Sequence, residues 1–219
     1  MLDLSFGNNI LIYGVIASAI SFLVTLIVTP KMINSLIAQG SVVQDYHKPG
    51  RPNVPRPAGP VLLGAIAVSE IILYLLTLNM TMIAILLTTV LANVVGFIDD
   101  RKVLPGWFKP VALITAAIPL IIFQAHGTHL NLIFGNAFIP LLYIPLILAI
   151  IPIVGNTINS IDVLNGVVTG FVIITIIPLL VSIYIFGDRE VFLAALPLLF
   201  GTIALYWYHK FPSKIFVGG

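Results

Sequence analysis

A bundle of membrane-spanning α-helices is the fold this sequence predicts, and three observations predict it. Hydrophobic residues make up 59% of the chain and charged ones only 8%, where a soluble domain carries roughly 25% charged residues. The mean hydropathy is +1.14, and several apolar stretches reach the ~20 residues that a helix needs to cross a ~30 Å hydrocarbon layer. Runs such as Ile71-Ile72-Leu73-Tyr74-Leu75-Leu76 and Ile173-Ile174-Thr175-Ile176-Ile177 lack the two-residue alternation of a spanning barrel. The spans are therefore helices, whose backbone hydrogen bonds close within each segment. A soluble fold is excluded.

Seven spans are expected, at about 8–30, 58–78, 80–98, 110–125, 138–155, 166–186 and 190–208. The first follows Asp3 rather than a basic cluster, and no small-residue cleavage site comes after it, so it reads as a retained helix and not a signal peptide. Glu70 falls well inside the second span, where an ionisable group is costly and faces the bundle interior. It has either a hydrogen-bonded structural role or a place near a substrate path. Pro119, Pro145, Pro152 and Pro178 fall inside or near the ends of later spans and predict kinks. The outer-loop pair His126 and His129 has no acidic or thiol partner nearby and reads as ordinary loop residues rather than a metal site. With no repeat and no low-complexity linker, residues 1–219 form one transmembrane domain. The absence of cysteine excludes disulfide and thiolate chemistry.

If the spans alternate, segments 31–57, 99–109, 156–165 and 209–219 share one side. They carry Lys31, Lys48, Arg51, Arg56, Arg101, Lys102, Lys109, Lys210 and Lys214, against Arg189 alone on the other. The positive-inside rule then places these loops in the cytoplasm and the N-terminus outside. Asp45, Asp99, Asp100 and Asp162 fall on the same side, so any chemistry faces the cytoplasm. The net charge of +2 offers no argument for a nucleic-acid partner.

Three constellations stand at that boundary. In Asn93-Val94-Val95-Gly96-Phe97-Ile98-Asp99-Asp100-Arg101-Lys102, two adjacent carboxylates are followed by cations, Lys109 among them. This suits phosphates and a divalent ion, since magnesium takes one or two carboxylates plus substrate phosphates; a solvated helix end would explain the same residues. In Gly155 to Gly166, Asn156, Asn159 and Asp162 recur every third residue, and Asn165 shares a helical face with Asn159 and with Asp162 if the turn continues. These groups need partners at a membrane boundary, either a ligand or a helix-to-helix lock. Five prolines in the segment from Asp45 to Pro60 hold it extended while His47, Lys48, Arg51 and Arg56 project. Such side chains suit a diphosphate or the lipid headgroups of the membrane.

In combination these pieces resemble the polyprenyl-phosphate N-acetylhexosamine-1-phosphate transferases, of the glycosyltransferase 4 type. The resemblance rests on Asp45 with the His47-Lys48-Pro49 to Pro57-Ala58-Gly59 loop, on Gly96-Phe97-Ile98-Asp99-Asp100 with Lys109, on Asn156 to Gly166, and on Phe211-Pro212-Ser213-Lys214-Ile215-Phe216-Val217-Gly218. It covers essentially the whole chain. Asn165-Gly166, where many bacterial members have Asp-Gly, makes it most like the archaeal and eukaryotic dolichyl-phosphate GlcNAc-1-phosphate branch.

The resemblance implies transfer of a sugar 1-phosphate, GlcNAc 1-phosphate first, from a UDP-N-acetylhexosamine to polyprenyl or dolichyl phosphate, with release of UMP and use of Mg²⁺ or Mn²⁺. It implies that Asp99, Asp100, Lys109 and Asp162 are catalytic, and that Asp99, Asp100 and Asp162 also serve the metal. Asp45, His47, Lys48, Arg51, Arg56, Asn156, Asn159 and Asn165 would bind substrate. It also implies a multi-pass protein of the cell membrane, in contact with membrane lipids, that often dimerises, in lipid-linked oligosaccharide, protein glycosylation or cell-wall synthesis. At the position of the family's main magnesium aspartate this chain has Gly219. The expectation is therefore a weak metal site, and a chain that is the leading two thirds of a longer family fold. A transporter, with proline-broken spans around Glu70, and a non-catalytic membrane subunit are the alternatives.

Overall fold

The computed structural model describes residues 4–46, 48–102, 105–125, 129–132, 135–138, 140–162, 164–186 and 189–218. The elements run α1 (Leu4–Ala38), β1 (Val42–Gln44), β2 (Asn53–Pro55), α2 (Gly59–Thr77), α3 (Met80–Arg101), α4 (Phe108–Ile114), a 3-10 turn (Thr115–Ala117) and α5 (Ile118–Ile122). They continue with β3 (His129–Leu132), β4 (Gly135–Phe138), α6 (Pro140–Ile161), α7 (Val167–Phe186) and α8 (Arg189–His209). Among the described residues, six helices are long and apolar enough to span a membrane.

The seventh expected span, 110–125, is corrected by this architecture. Residues Phe108–Ile122 are a shorter apolar segment in three pieces. Pro119 has no N–H to return to the carbonyl of Thr115, and the chain tightens into the 3-10 turn just ahead of it. The Thr115 hydroxyl donates instead to the Ala112 carbonyl at 2.6 Å. Pro145, Pro152 and Pro178 lie inside helices as expected, joined by Pro30 in α1 and Pro197 in α8.

The bundle is organised around α1, which packs most extensively along α8 and then along α2. Lipid tails are as apolar as leucine, so association here depends on close approach and hydrogen bonding rather than on apolar burial. Gly201 provides the approach: a Cβ there would lie 2.6 Å from Ser21 Oγ and 2.9 Å from Leu62 Cδ1. Ser21 Oγ donates to the Pro197 carbonyl at 2.7 Å, Ser69 Oγ to the Ala17 carbonyl at 3.0 Å, and Tyr208 OH to the Leu26 carbonyl at 3.0 Å. Ser18, Thr29, Thr77, Thr89 and Thr202 bond carbonyls of their own helices at 2.6 to 2.9 Å, which lets hydroxyls lie in an apolar medium.

Tight connections fix neighbouring helices. The α2–α3 turn is two residues, with Leu78 left-handed at φ 54 and Asn79 capping α3 by accepting from Thr81 N–H at 2.8 Å. The proline-rich loop is not simply extended: β1 and β2 pair antiparallel, Val42 against Pro55 and Gln44 against Asn53. A second small hairpin joins β3 to β4, and His129 opens β3, while His126 lies outside the described residues. The segment after α8 folds back onto the start of α2, where Ala58 and Gly59 N–H groups donate to the Val217 carbonyl at 3.0 Å. Those donors begin a helix and have no partner within it. Ile215 anchors the segment in a cluster with Leu36, Ala58 and Leu205.

Candidate active site

The four segments expected to share one side do meet at one end of the bundle. Asp45, just past β1, is 1% exposed. Its carboxylate forms an ion pair with Lys48 at 3.0 Å and accepts from Asn165 Nδ2 at 2.9 Å, 120 residues along the chain. Lys48 also donates to the Ser213 carbonyl at 3.0 Å. These contacts tie the hairpin to the α6–α7 turn and to the segment after α8.

The α6–α7 turn overturns one expectation, that Asn165 shares a helical face with Asn159 and Asp162. Helix α6 ends at Ile161, and Gly166 adopts φ 82, a conformation open chiefly to glycine. A Cβ at Gly166 would stand 3.0 Å from Lys210 Cα. The reversal sends Asn165 toward Asp45 and leaves Asn159 and Asp162 lining a cavity.

That cavity, about 330 Å³, is bordered by Asp45, Tyr46, Arg56, Asn159, Asp162, Leu164, His209 and Phe216. His209, fully buried in the last turn of α8, was not singled out from the sequence. Its Nε2 lies 3.7 Å from Asp162 Oδ1, its Nδ1 lies 3.0 Å from Thr169 Oγ1, and its ring meets Phe216 edge-on. The available signal was its place: an ionisable group closing an apolar span, directly before the Phe211–Gly218 element.

A second cleft, about 590 Å³ and chiefly apolar, opens between α2, α3, α4 and α6. Leu63, Ile66, Thr88, Leu113, Ile151 and Val154 are among its walls, and Asn93 and Lys109 also line it. Lys109 forms an ion pair with Asp99 at 3.0 Å, its side chain 8% exposed and that of Asp99 28%. The two clefts are neighbours: consecutive residues Arg56 and Pro57, Phe216 and Val217, and Asn159 and Ile158 face the cavity and the groove respectively.

Other expected site residues are placed differently. Arg51 is exposed and stacks on Tyr46, 5.4 Å from its ring, and Asn156 is exposed and lines neither cleft. The Asp100 side chain, His47 and Gly219 lie outside what is described. Glu70 is 0% exposed, neither of its oxygens has a hydrogen-bond partner among the described residues, and it lines neither cleft.

Among the described residues the fit to a divalent ion is poor, the Asp100 side chain lying outside them. Among the described residues no three of His, Cys, Asp and Glu stand together. Asp45, Asp99 and Asp162 each face a basic side chain instead, so they make no ready cage of carboxylate oxygens.

A polar, charge-lined cavity thus lies beside an apolar groove at one end of a bundle whose described residues include six helices long and apolar enough to span a membrane. The chain belongs to Glycosyl transferase family 4, whose pattern matches residues 82–219. It is related to the polyprenyl-phosphate sugar-1-phosphate transferases. Phospho-N-acetylmuramoyl-pentapeptide-transferase of Streptococcus suis is 24% identical over 226 residues, 94% of this chain and 68% of that protein. Its counterpart in Streptococcus pneumoniae is 27% identical, over 92% and 67%. A putative UDP-N-acetylglucosamine–dolichyl-phosphate N-acetylglucosaminephosphotransferase of Saccharolobus solfataricus is 26% identical, over 91% and 64%. The chain thus spans about two thirds of the length of these relatives.

Proposed function

We propose that this protein transfers an N-acetylhexosamine 1-phosphate, GlcNAc 1-phosphate foremost, from a UDP-sugar to polyprenyl or dolichyl phosphate at the cytoplasmic face of the cell membrane. The observation that carries this reading is the shared wall between a polar cavity and an apolar groove. The groove suits an isoprenoid chain, and Lys109 at its lining suits the phosphate at that chain's end. The cavity suits the nucleotide, with Arg56 and Asn159 toward its phosphates and Asp162, which as a carboxylate only accepts, toward hydroxyl or N–H donors of the nucleoside. An oxygen of the lipid phosphate attacks the sugar-bound phosphorus of the UDP-sugar. The bond from that phosphorus to the bridging oxygen breaks, UMP leaves with the electron pair, and a lipid–diphosphate–sugar remains. Any proton on the attacking phosphate passes to Asp99, with Asp100 beside it. Lys109 and Arg56 offset charge that builds as the bridge breaks, an electrostatic contribution that grows in the transition state.

Mg²⁺ or Mn²⁺ belongs to this reading through the family. Asp45, Lys48 and Asn165 support it as the frame of the cavity, because their polar atoms are engaged with one another.

The test is transfer of radiolabelled GlcNAc 1-phosphate from UDP-GlcNAc into polyprenyl phosphate by membranes containing the protein. Asp99→Asn is expected to lower transfer about 100-fold or more while protein level is unchanged. Undiminished transfer by Asp99→Asn would sink the proposal, and a non-catalytic subunit would replace it.

A further inference from the structure

We infer that His209 is a positioning residue that acts through Asp162, oriented in turn by Thr169; this rests on the reading of the polar cavity as the nucleotide site. The side chain is fully buried at the end of α8 and its two ring nitrogens face different elements. Nδ1 meets the Thr169 hydroxyl on α7 at 3.0 Å, and Nε2 faces the Asp162 carboxylate beyond the end of α6 at 3.7 Å. At 3.7 Å the facing of Nε2 and Asp162 is electrostatic and longer than a hydrogen bond; Nε2 is shielded from water and has no hydrogen-bond partner among the described residues.

The chemistry of the three groups fixes the direction. An ionised carboxylate only accepts, so the hydrogen facing Asp162 sits on Nε2. In the neutral ring Nδ1 is then the acceptor; the single hydrogen of the Thr169 hydroxyl has two acceptors in reach, Nδ1 at 3.0 Å and the Gly166 carbonyl at 3.4 Å, and the inference assigns it to the shorter contact. The Phe216 ring, edge-on to the imidazole, holds its plane. Asp162 lies past the last residue of α6, its N–H donating to the Asn159 carbonyl at 3.3 Å, in a turn whose reversal is set by Gly166, and His209 faces its carboxylate from α8. The scale of such an effect is set by the groups that orient metal ligands, whose loss costs about 10- to 100-fold in affinity or activity.

Two measurements on the purified chain in nanodiscs decide it. The first needs no ligand. Nitrogen-15 NMR of the histidine rings, with the His209 signal identified by its disappearance in His209→Phe, is expected to show hydrogen on Nε2. Thr169→Val is expected to blur that preference and Thr169→Ser to restore it. A wild-type ring protonated on Nδ1 alone overturns the inference, whatever the nucleotide does.

The second is calorimetric binding of UDP in a double-mutant cycle. His209→Phe is expected to weaken UDP binding about tenfold. In an Asp162→Asn background the same change is expected to add little, because residues that act as one unit are not additive. Multiplicative losses in the double variant would mean that His209 acts independently of Asp162, and the inference would fall. If the wild-type chain binds no UDP while the ring carries hydrogen on Nε2, the nucleotide reading fails and the positioning of Asp162 stands.

Discussion

Two aspartate–lysine pairs at the same end of the bundle have the same 3.0 Å separation and different surroundings. Asp45–Lys48 is closed: its side chains are 0% and 10% exposed, and Asn165 and the Ser213 carbonyl take further contacts. Asp99–Lys109 is more open: Asp99 is 28% exposed, and Lys109 lines the apolar groove. The separation of two charges therefore says little about their role. What distinguishes an architectural pair from one free to meet a ligand is how many further partners each member holds.

Removing one side of the closed pair should do most damage. Asp45→Ala takes the carboxylate from the half-buried Lys48, which keeps the Ser213 carbonyl, and from the half-buried Asn165; breaking a buried pair on one side costs up to about 3–5 kcal/mol. Thermal unfolding in detergent should show it as a large fall in midpoint or as lost yield; an unchanged midpoint would break the comparison. Gly166→Val attacks the same knot from the backbone, forcing a β-branched residue to φ 82 against Lys210. Strain of this kind costs about 1–3 kcal/mol, and denaturant unfolding should place it below Asp45→Ala.

The open pair should respond differently. Lys109→Met keeps a chain suited to the apolar groove and leaves Asp99, 28% exposed, in partial contact with solvent, so stability should fall less than in Asp45→Ala, while transfer falls sharply. A stability loss equal to that of Asp45→Ala would show that the two pairs do the same job. Smallest of all, Arg51→Ala removes an exposed cation stacked on Tyr46, and the unfolding midpoint should move within about 0.5 kcal/mol.

The extent of each helix was readable because hydropathy is a local property. Residues Gly59–Thr77, Val167–Phe186 and Arg189–His209 nearly coincide with the spans expected from composition. The segment Phe108–Ile122 misled because its apolar content is continuous while its backbone is interrupted before Pro119, and hydropathy does not register a missing N–H. At the site, the residue types were legible and their pairing was not. Asn165 looked like a neighbour of Asn159 by spacing, yet its partner Asp45 is 120 residues away. His209 escaped notice for a related reason: a single histidine at a helix end acquires meaning only when Asp162 and Thr169 are brought to it by α6 and α7.

The bond from Lys48 to the Ser213 carbonyl also has a consequence in time. Its partners are 165 residues apart, and at about 5–20 residues per second a ribosome needs roughly 8 to 33 s to make the intervening chain. Asp45 is made 120 residues before Asn165, and longer still before Ser213. Lys48, three residues from Asp45, is available from the start, so the short-range pair compensates the carboxylate before the late segments arrive to bury it.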